Sequence, residues 1–200
     1  MYLSFFIYGD CMNKVEPIRT KSKLDKIRYL LKEQSYRNYI LFQFAIHVGL
    51  RISDILNLKV KDVKNKEYLY IIEKKTRRRR NNKKNRYTIP KMIAKELNDY
   101  IKEEGLLDDD YLFYTSNRYC EHLSARQAYN IIHNSAVTAG ITDAVGCHTL
   151  RKTFGYWHYK QYKDVAILQK IFNHVTPEET LLYIGITDEE VSSTLRNFNI

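Results

Sequence analysis

Six side chains in this 200-residue sequence have types and spacings that could carry one reaction. Arg51 follows the glycine of "HVGLRISDILNL" at a predicted helix start, where free backbone N–H groups and the helix dipole already favour an anion such as phosphate. His148 and Arg151 stand three apart in "CHTLRKTFGYWHYK", a spacing that puts both on one side of a helix beginning at about Thr149. "FNHVTPEETLLYIGI" sets His174 nine residues before Tyr183, and "KKT" offers Lys75 with Lys74 beside it. Together they could transfer a phosphodiester to a phenol without a metal. Guanidinium groups bind the non-bridging oxygens in a bidentate fork, which favours arginine over lysine at both positions. Histidines hold or move protons near neutral pH, and a lysine can protonate the leaving 5′ oxygen. The tyrosine conserves the broken bond in a covalent link that can be rejoined.

Each residue also has a plainer reading. Tyr183 lies among Leu181, Leu182 and Ile184, the company of a packing tyrosine, and the chain has 17 tyrosines. Arg51 could pair with Asp54 on the surface. Cys147 beside His148 lacks the second pair that a zinc site needs, so no metal and no cofactor are expected.

The net charge of +10 is concentrated in one place: residues 74–86, "KKTRRRRNNKKNR", hold nine Lys or Arg and no acid. Such a run serves a polyanion such as DNA, or else a solvated tip or a targeting signal. It marks Lys74, Arg77, Arg78, Arg79, Arg80, Lys83, Lys84 and Arg86 as DNA-binding candidates. Seven acids between 96 and 110 should face away from any nucleic acid.

The elements that must position these groups are mostly helices. Leu24, Ile27, Leu30 and Leu31, then Ile40, Leu41, Phe44, Ala45 and Val48, recur at helical spacing, with Gly49 closing the second helix and a short third starting near Ile52. "EYLYIIE" and "NRYTIP" read as a hairpin with the arginines in its turn region and Pro90 at its end. "KMIAKELNDYIKEE" is a helix, and "YLFY" at 111–114 a possible third short strand. Ser124 and Gln127 make a capping box for a helix that Gly140 closes, and three or four short helices are expected over 149–198. One of them starts at Pro177, with Thr176 as N-cap and Glu179 completing a box, and stops at Gly185. The tail "TDEEVSSTLRNFNI" opens on a further box, Thr187 to Glu190, and carries Val191, Leu195 and Phe198 on one face, as a partner-binding helix would.

Three odd cysteines give neither a disulfide framework nor a zinc site and suit a reducing cytoplasm. No apolar run approaches the ~20 residues of a membrane span, and "MYLSFFIYGDC" lacks the features of a signal peptide. Residues 1–16 read as a leader of uncertain structure, with Met12 a candidate start, and 17–200 as one domain.

"GLRISDIL", "HTLRKTF" and "NHVTPEETLLYIG", in this order, resemble the three local patterns of the tyrosine recombinases, the phage integrase family, from about residue 17 to the end. The resemblance implies an α+β, mostly helical catalytic-domain fold with a small three-stranded antiparallel sheet. It implies Arg51, Lys75, His148, Arg151 and His174 as catalytic residues and Tyr183 as the nucleophile that forms a 3′-phosphotyrosyl intermediate. It also implies double-stranded DNA as partner, a homotetramer on DNA, a tail that docks on a neighbouring protomer, and possible accessory DNA-binding proteins. Family members usually carry an N-terminal core-binding domain, whereas only 50 residues precede Arg51 here. Two other activities share these features: nicking and relaxing of the type IB topoisomerase kind, and a non-catalytic regulator or remnant of a mobile element.

Overall fold

The structure is a computed structural model and describes residues 15–72, 84–115 and 121–187, with Glu190, Ser192 and Arg196 beyond them. Nine α-helices and two strands are found among these residues: α1 Lys21–Gln34, α2 Tyr36–Val48, α3 Ile52–Leu56, α4 Val60–Val63, β1 Tyr68–Ile71, β2 Asn85–Thr88, α5 Lys91–Glu103, α6 Ala125–Thr138, α7 Cys147–Tyr162, α8 Val165–Phe172 and α9 Pro177–Ile184.

Helix α2 is the hub. Ile40 to Ile46 are all buried, apolar except for Gln43, which accepts from Arg28, and the helix packs against α1, α5 and α7 around it. Gly49 ends it in a left-handed conformation, φ +69°, and returns the chain to α3 within three residues. Helix α7 runs beside α2 and carries a second, smaller core in which Leu168, Phe172 and Ile184 hold α8 and α9. Gly155 makes this possible. A Cβ there would lie 2.5 Å from Ile184 Cγ2 and 2.8 Å from the Phe172 ring, so only glycine lets α9 approach so closely.

Capping chemistry sets several helix ends as the sequence implies. Ser124 Oγ accepts from Gln127 N–H at 3.2 Å while Gln127 Oε1 takes the Ser124 N–H at 2.8 Å. Thr176 caps α9 by accepting from Glu179 N–H, but the Glu179 carboxylate takes the N–H of Val175 rather than that of Thr176. Helix α7 starts at Cys147 and runs 16 residues, a single long element where short ones were expected. The box from Thr187 to Glu190 forms in both directions, at 3.3 and 3.4 Å. Val191, Leu195 and Phe198 lie outside the described residues whose side chains are placed.

The sheet has two strands, not three. β1 and β2 pair antiparallel, Tyr68 opposite Thr88 and Ile71 opposite Asn85, with Leu69, Ile71 and Tyr87 turned to the core. Residues 111–114 do not join them. Tyr111 makes an isolated bridge to Lys59 and Tyr114 another to His122, with a turn between at Leu112 and Phe113. The backbone groups a third strand would offer are already used: Leu112 N–H by Leu58 O, Phe113 O by Leu123 N–H. The acids of 108–110 are likewise engaged locally, Asp108 with Lys64 and Asp109 with Lys61.

Candidate active site

Three chain segments meet around Arg151: the turn from Gly49 into α3, helix α7 itself, and the α8–α9 pair packed on it. Arg51 stands at the N-cap of α3, its backbone extended and its side chain half-buried. His148 lies in the first turn of α7 and Arg151 in the next. Asn173, in a left-handed turn at φ +56°, ends α8 and delivers His174, and Tyr183 occupies the last turn of α9.

Arg151 is the centre of this arrangement, with only 3% of its surface exposed. Its Nη1 donates to Gly49 O at 2.8 Å and its Nη2 to Phe172 O at 3.1 Å. It therefore ties the turn before Arg51 to the end of the helix before His174. Phe172 covers the guanidinium, its ring centroid 4.6 Å from Cζ.

His148 feels this charge, while His174 packs its ring near Phe172 and Tyr183. Burial pushes the His148 imidazole below its ordinary value of 6.5, and Arg151, Arg51 and Lys152 push it the same way, so it is neutral at pH 7. His174 Nδ1 lies 3.1 Å from Thr180 Oγ1, whose own hydroxyl proton goes to Thr176 O at 3.2 Å. This arrangement suits Thr180 accepting from His174 Nδ1–H, the tautomer that leaves Nε2 as the acceptor nitrogen.

Tyr183 packs edge-on against both neighbours, its centroid 5.1 Å from the His174 ring and 5.3 Å from that of Phe172. Burial raises its pKa above 10, and Arg151 and Arg51 act in the other direction, Arg151 partly through a hydrogen bond. Arginine charges thus reach both His148 and the phenol, so Arg51, His148, Arg151, His174 and Tyr183 form one cluster.

Residues 19–190 match the model of the Phage integrase family, 86% of the chain. The chain belongs to the phage integrase family. This family member is 40% identical over 187 residues to the "Probable integrase/recombinase YoeC" of Bacillus subtilis, an alignment covering 94% of this chain and 98% of that protein. To the "Tyrosine recombinase XerH" of Campylobacter jejuni it is 28% identical over 164 residues, 80% of this chain and 44% of that one. In fold it is similar to a crystal structure of XerA recombinase, with a TM-score of 0.74 at 20% identity, covering 92% of this chain and 65% of that one. The integrase-family chain thus spans nearly all of the Bacillus relative and about half of XerH.

Lys74, Lys75, Arg77, Arg78, Arg79, Arg80 and Lys83 lie outside the described residues. Lys84 and Arg86 are described and exposed, and Arg86 sits on the outer face of the hairpin, its Cζ 4.8 Å from the centre of the Tyr68 ring. Among the described residues no group of three or more His, Cys, Asp or Glu is placed to hold a metal ion, and no helix is long and apolar enough to cross a membrane. Cys147 is held as a thiol, its pKa pushed to about 11 by burial.

Three contributors escape sequence reading. Thr180 orients His174, Phe172 covers Arg151, and Lys152 is buried with its ammonium 5.4 Å from the centre of the Tyr183 ring. Thr180 and Phe172 are ordinary helix residues by pattern, and Lys152 follows Arg151 as one more basic residue in a basic chain. No spacing rule marks them.

Proposed function

We propose that this chain is a site-specific DNA recombinase that cleaves and rejoins strands through a 3′-phosphotyrosyl intermediate. The observation that carries the reading is the phenol of Tyr183, half-buried within reach of two arginine charges and edge-on to His174. A packing tyrosine needs its ring in a core. This one has its ring in a small core and its hydroxyl among the groups that a phosphate would need.

In the proposed reaction the Tyr183 oxygen attacks the scissile phosphorus and the P–O5′ bond breaks. Arg51 and Arg151 neutralise charge growing on the non-bridging oxygens. Neutral His148 and the acceptor Nε2 of His174 are suited to accept or relay the phenol proton. Lys75, or Lys74 beside it, gives a proton to the departing 5′ oxygen. A 5′ hydroxyl from another strand then reverses the step and frees the tyrosine, so no external energy source is consumed.

Double-stranded DNA is the substrate, contacted by the basic hairpin from Lys74 to Arg86 mainly through phosphates. Exchange of strands calls for a tetramer on DNA, each protomer cutting one strand, with accessory proteins possible at the site. The chain acts where its DNA is, in the cytoplasm. Residues 17–200 make up the catalytic domain.

The test is incubation with nicked duplexes taken from the flanks of the chain's own gene, followed by denaturing electrophoresis. The expected result is protein attached to a DNA 3′ end in the presence of EDTA. Attachment at a 5′ end would contradict the mechanism. Relaxation of supercoiled plasmid without site dependence would replace recombination by a topoisomerase-like activity.

A further inference from the structure

Residues 15–20 have no regular structure, yet they are bound to α7. The buried N–H of Ile18 donates to Thr153 Oγ1 at 2.9 Å, and Ile18 O accepts from Trp157 Nε1 at 2.9 Å. Glu16 N–H reaches Ala144 O at 3.1 Å. This strap therefore lies fixed along the helix that also supports α9.

From the strap Arg19 reaches the far end of α9. Its Nη2 donates to Gly185 O at 2.8 Å and to Glu16 Oε2 at 3.2 Å, and its guanidinium lies 5.2 Å from the Tyr156 ring centre. Gly185 is the left-handed C-cap of α9, φ +74°, two residues after Tyr183, and a Cβ at this position would meet Arg19 Nη2 at 2.7 Å. A cation here satisfies a carbonyl that the helix leaves unpaired and opposes the negative end of its dipole. Lys152 lies over the Tyr183 ring, its pKa lowered by burial, with Glu16 attracting its ammonium and Arg19 repelling it. Glu16, Arg19 and Lys152 thus enclose the last turn of α9 at its carbonyl end and at the tyrosine ring.

Helix α9 needs such support. It has eight residues, only Thr180 and Ile184 of them fully buried, and Leu182 is 79% exposed. A helix this short is not stable by itself, and its last turn frays most readily. That last turn carries Tyr183.

We propose that Arg19 is a positioning residue for Tyr183: by holding the Gly185 carbonyl it fixes the last turn of α9 and so the place of the phenol. The assignment of purpose rests on Tyr183 being the nucleophile, whereas the grip on α9 does not. Two measurements on the full chain separate them. The first is hydrogen exchange of the 181–186 amides without DNA, in wild type, Arg19→Gln and Arg19→Lys. Arg19→Gln should exchange about three- to tenfold faster there, with the α2 and α5 amides unchanged, and Arg19→Lys should recover most of the protection. The second is the single-turnover rate of covalent adduct formation on a saturating nicked duplex. Arg19→Gln should lower that rate by a similar factor at unchanged DNA affinity, and Arg19→Lys should restore it. Unchanged exchange in Arg19→Gln overturns the proposal whatever the DNA assay gives, and so does faster exchange with an unchanged adduct rate. Faster exchange in a protein whose wild type forms no adduct supports the grip on α9 and removes the strand-transfer reading instead.

Discussion

Gly155→Ala separates local helix chemistry from the packing that seats α9, the helix of Tyr183. Gly155 is in the middle of α7, where helix propensity alone says that alanine should stabilise by about 1 kcal/mol. The structure demands the opposite sign. The new Cβ would lie 2.5 Å from Ile184 Cγ2 and 2.8 Å from the Phe172 ring, both residues wholly buried, one β-branched and the other a rigid ring. Neither can swing aside, so α9 or α8 must move, and overpacking of this kind costs about 1–3 kcal/mol, at the upper end here. The net effect is a loss of about 1–2 kcal/mol, or about 2–8 °C in Tm for a chain of this size. Ile184 is next to Tyr183, so adduct formation on a nicked duplex should fall as well. Thermal unfolding of Gly155→Ala, Ile184→Ala and the double variant measures the effect, because deleting the Ile184 branch removes the nearest clash. The double variant should be clearly more stable than additivity predicts. A Tm raised by Gly155→Ala, or strict additivity, would refute the reasoning.

The two arginines should behave differently on removal. Arg151→Ala strips the donors from Gly49 O and Phe172 O and should cost about 2–5 kcal/mol as well as activity, whereas Arg51→Ala, at a half-buried N-cap, should cost about 1 kcal/mol or less while lowering adduct formation on the order of 10²-fold; urea unfolding alongside the adduct assay compares them, and equal stability losses would contradict the structural role of Arg151. His148 should titrate below 6.5 by NMR, because burial and then the charges of Arg151, Arg51 and Lys152 disfavour its protonation, and Arg51→Gln should raise its pKa by removing one of those charges. Its folded pKa is depressed, so its contribution to stability is full above pH 6.5 and is lost as pH falls through the folded value; a titration at or above 6.5 would contradict the electrostatics. Neutralising Arg77 to Arg80 should flatten the dependence of DNA affinity on salt by up to about four in log–log slope, and an unchanged slope would make the hairpin a solvated tip.

What the sequence made legible was local chemistry. The helix ends at Gly49, Ser124, Thr176 and Gly185 follow from side chains within four residues of the cap, so they could be read without a fold. The cluster itself was legible because each of its segments carries its own short pattern. The failures are tertiary. "YLFY" has strand composition, but Leu58 and Leu123, far apart in the chain, decide where its backbone bonds go. Glu179 caps Val175 instead of Thr176 because of how the chain turns after α8. Gly155 looks like a helix breaker until Phe172 and Ile184 are seen against it, and Lys152, Thr180 and Arg19 take their roles only from residues brought to them by the fold.

The central claim is that the Tyr183 oxygen, and not merely its ring, does the work. Tyr183→Phe keeps the ring between His174, Phe172 and Lys152 and deletes only the oxygen. The direct measurement is covalent adduct formation with a nicked duplex, together with peptide mapping of the wild-type adduct. The account predicts that Tyr183→Phe folds with at most about 1 kcal/mol of lost stability, binds DNA as before and forms no adduct, while the wild-type adduct maps to the peptide containing Tyr183. Adduct formation that survives Tyr183→Phe, or attachment at another of the 17 tyrosines, would contradict it.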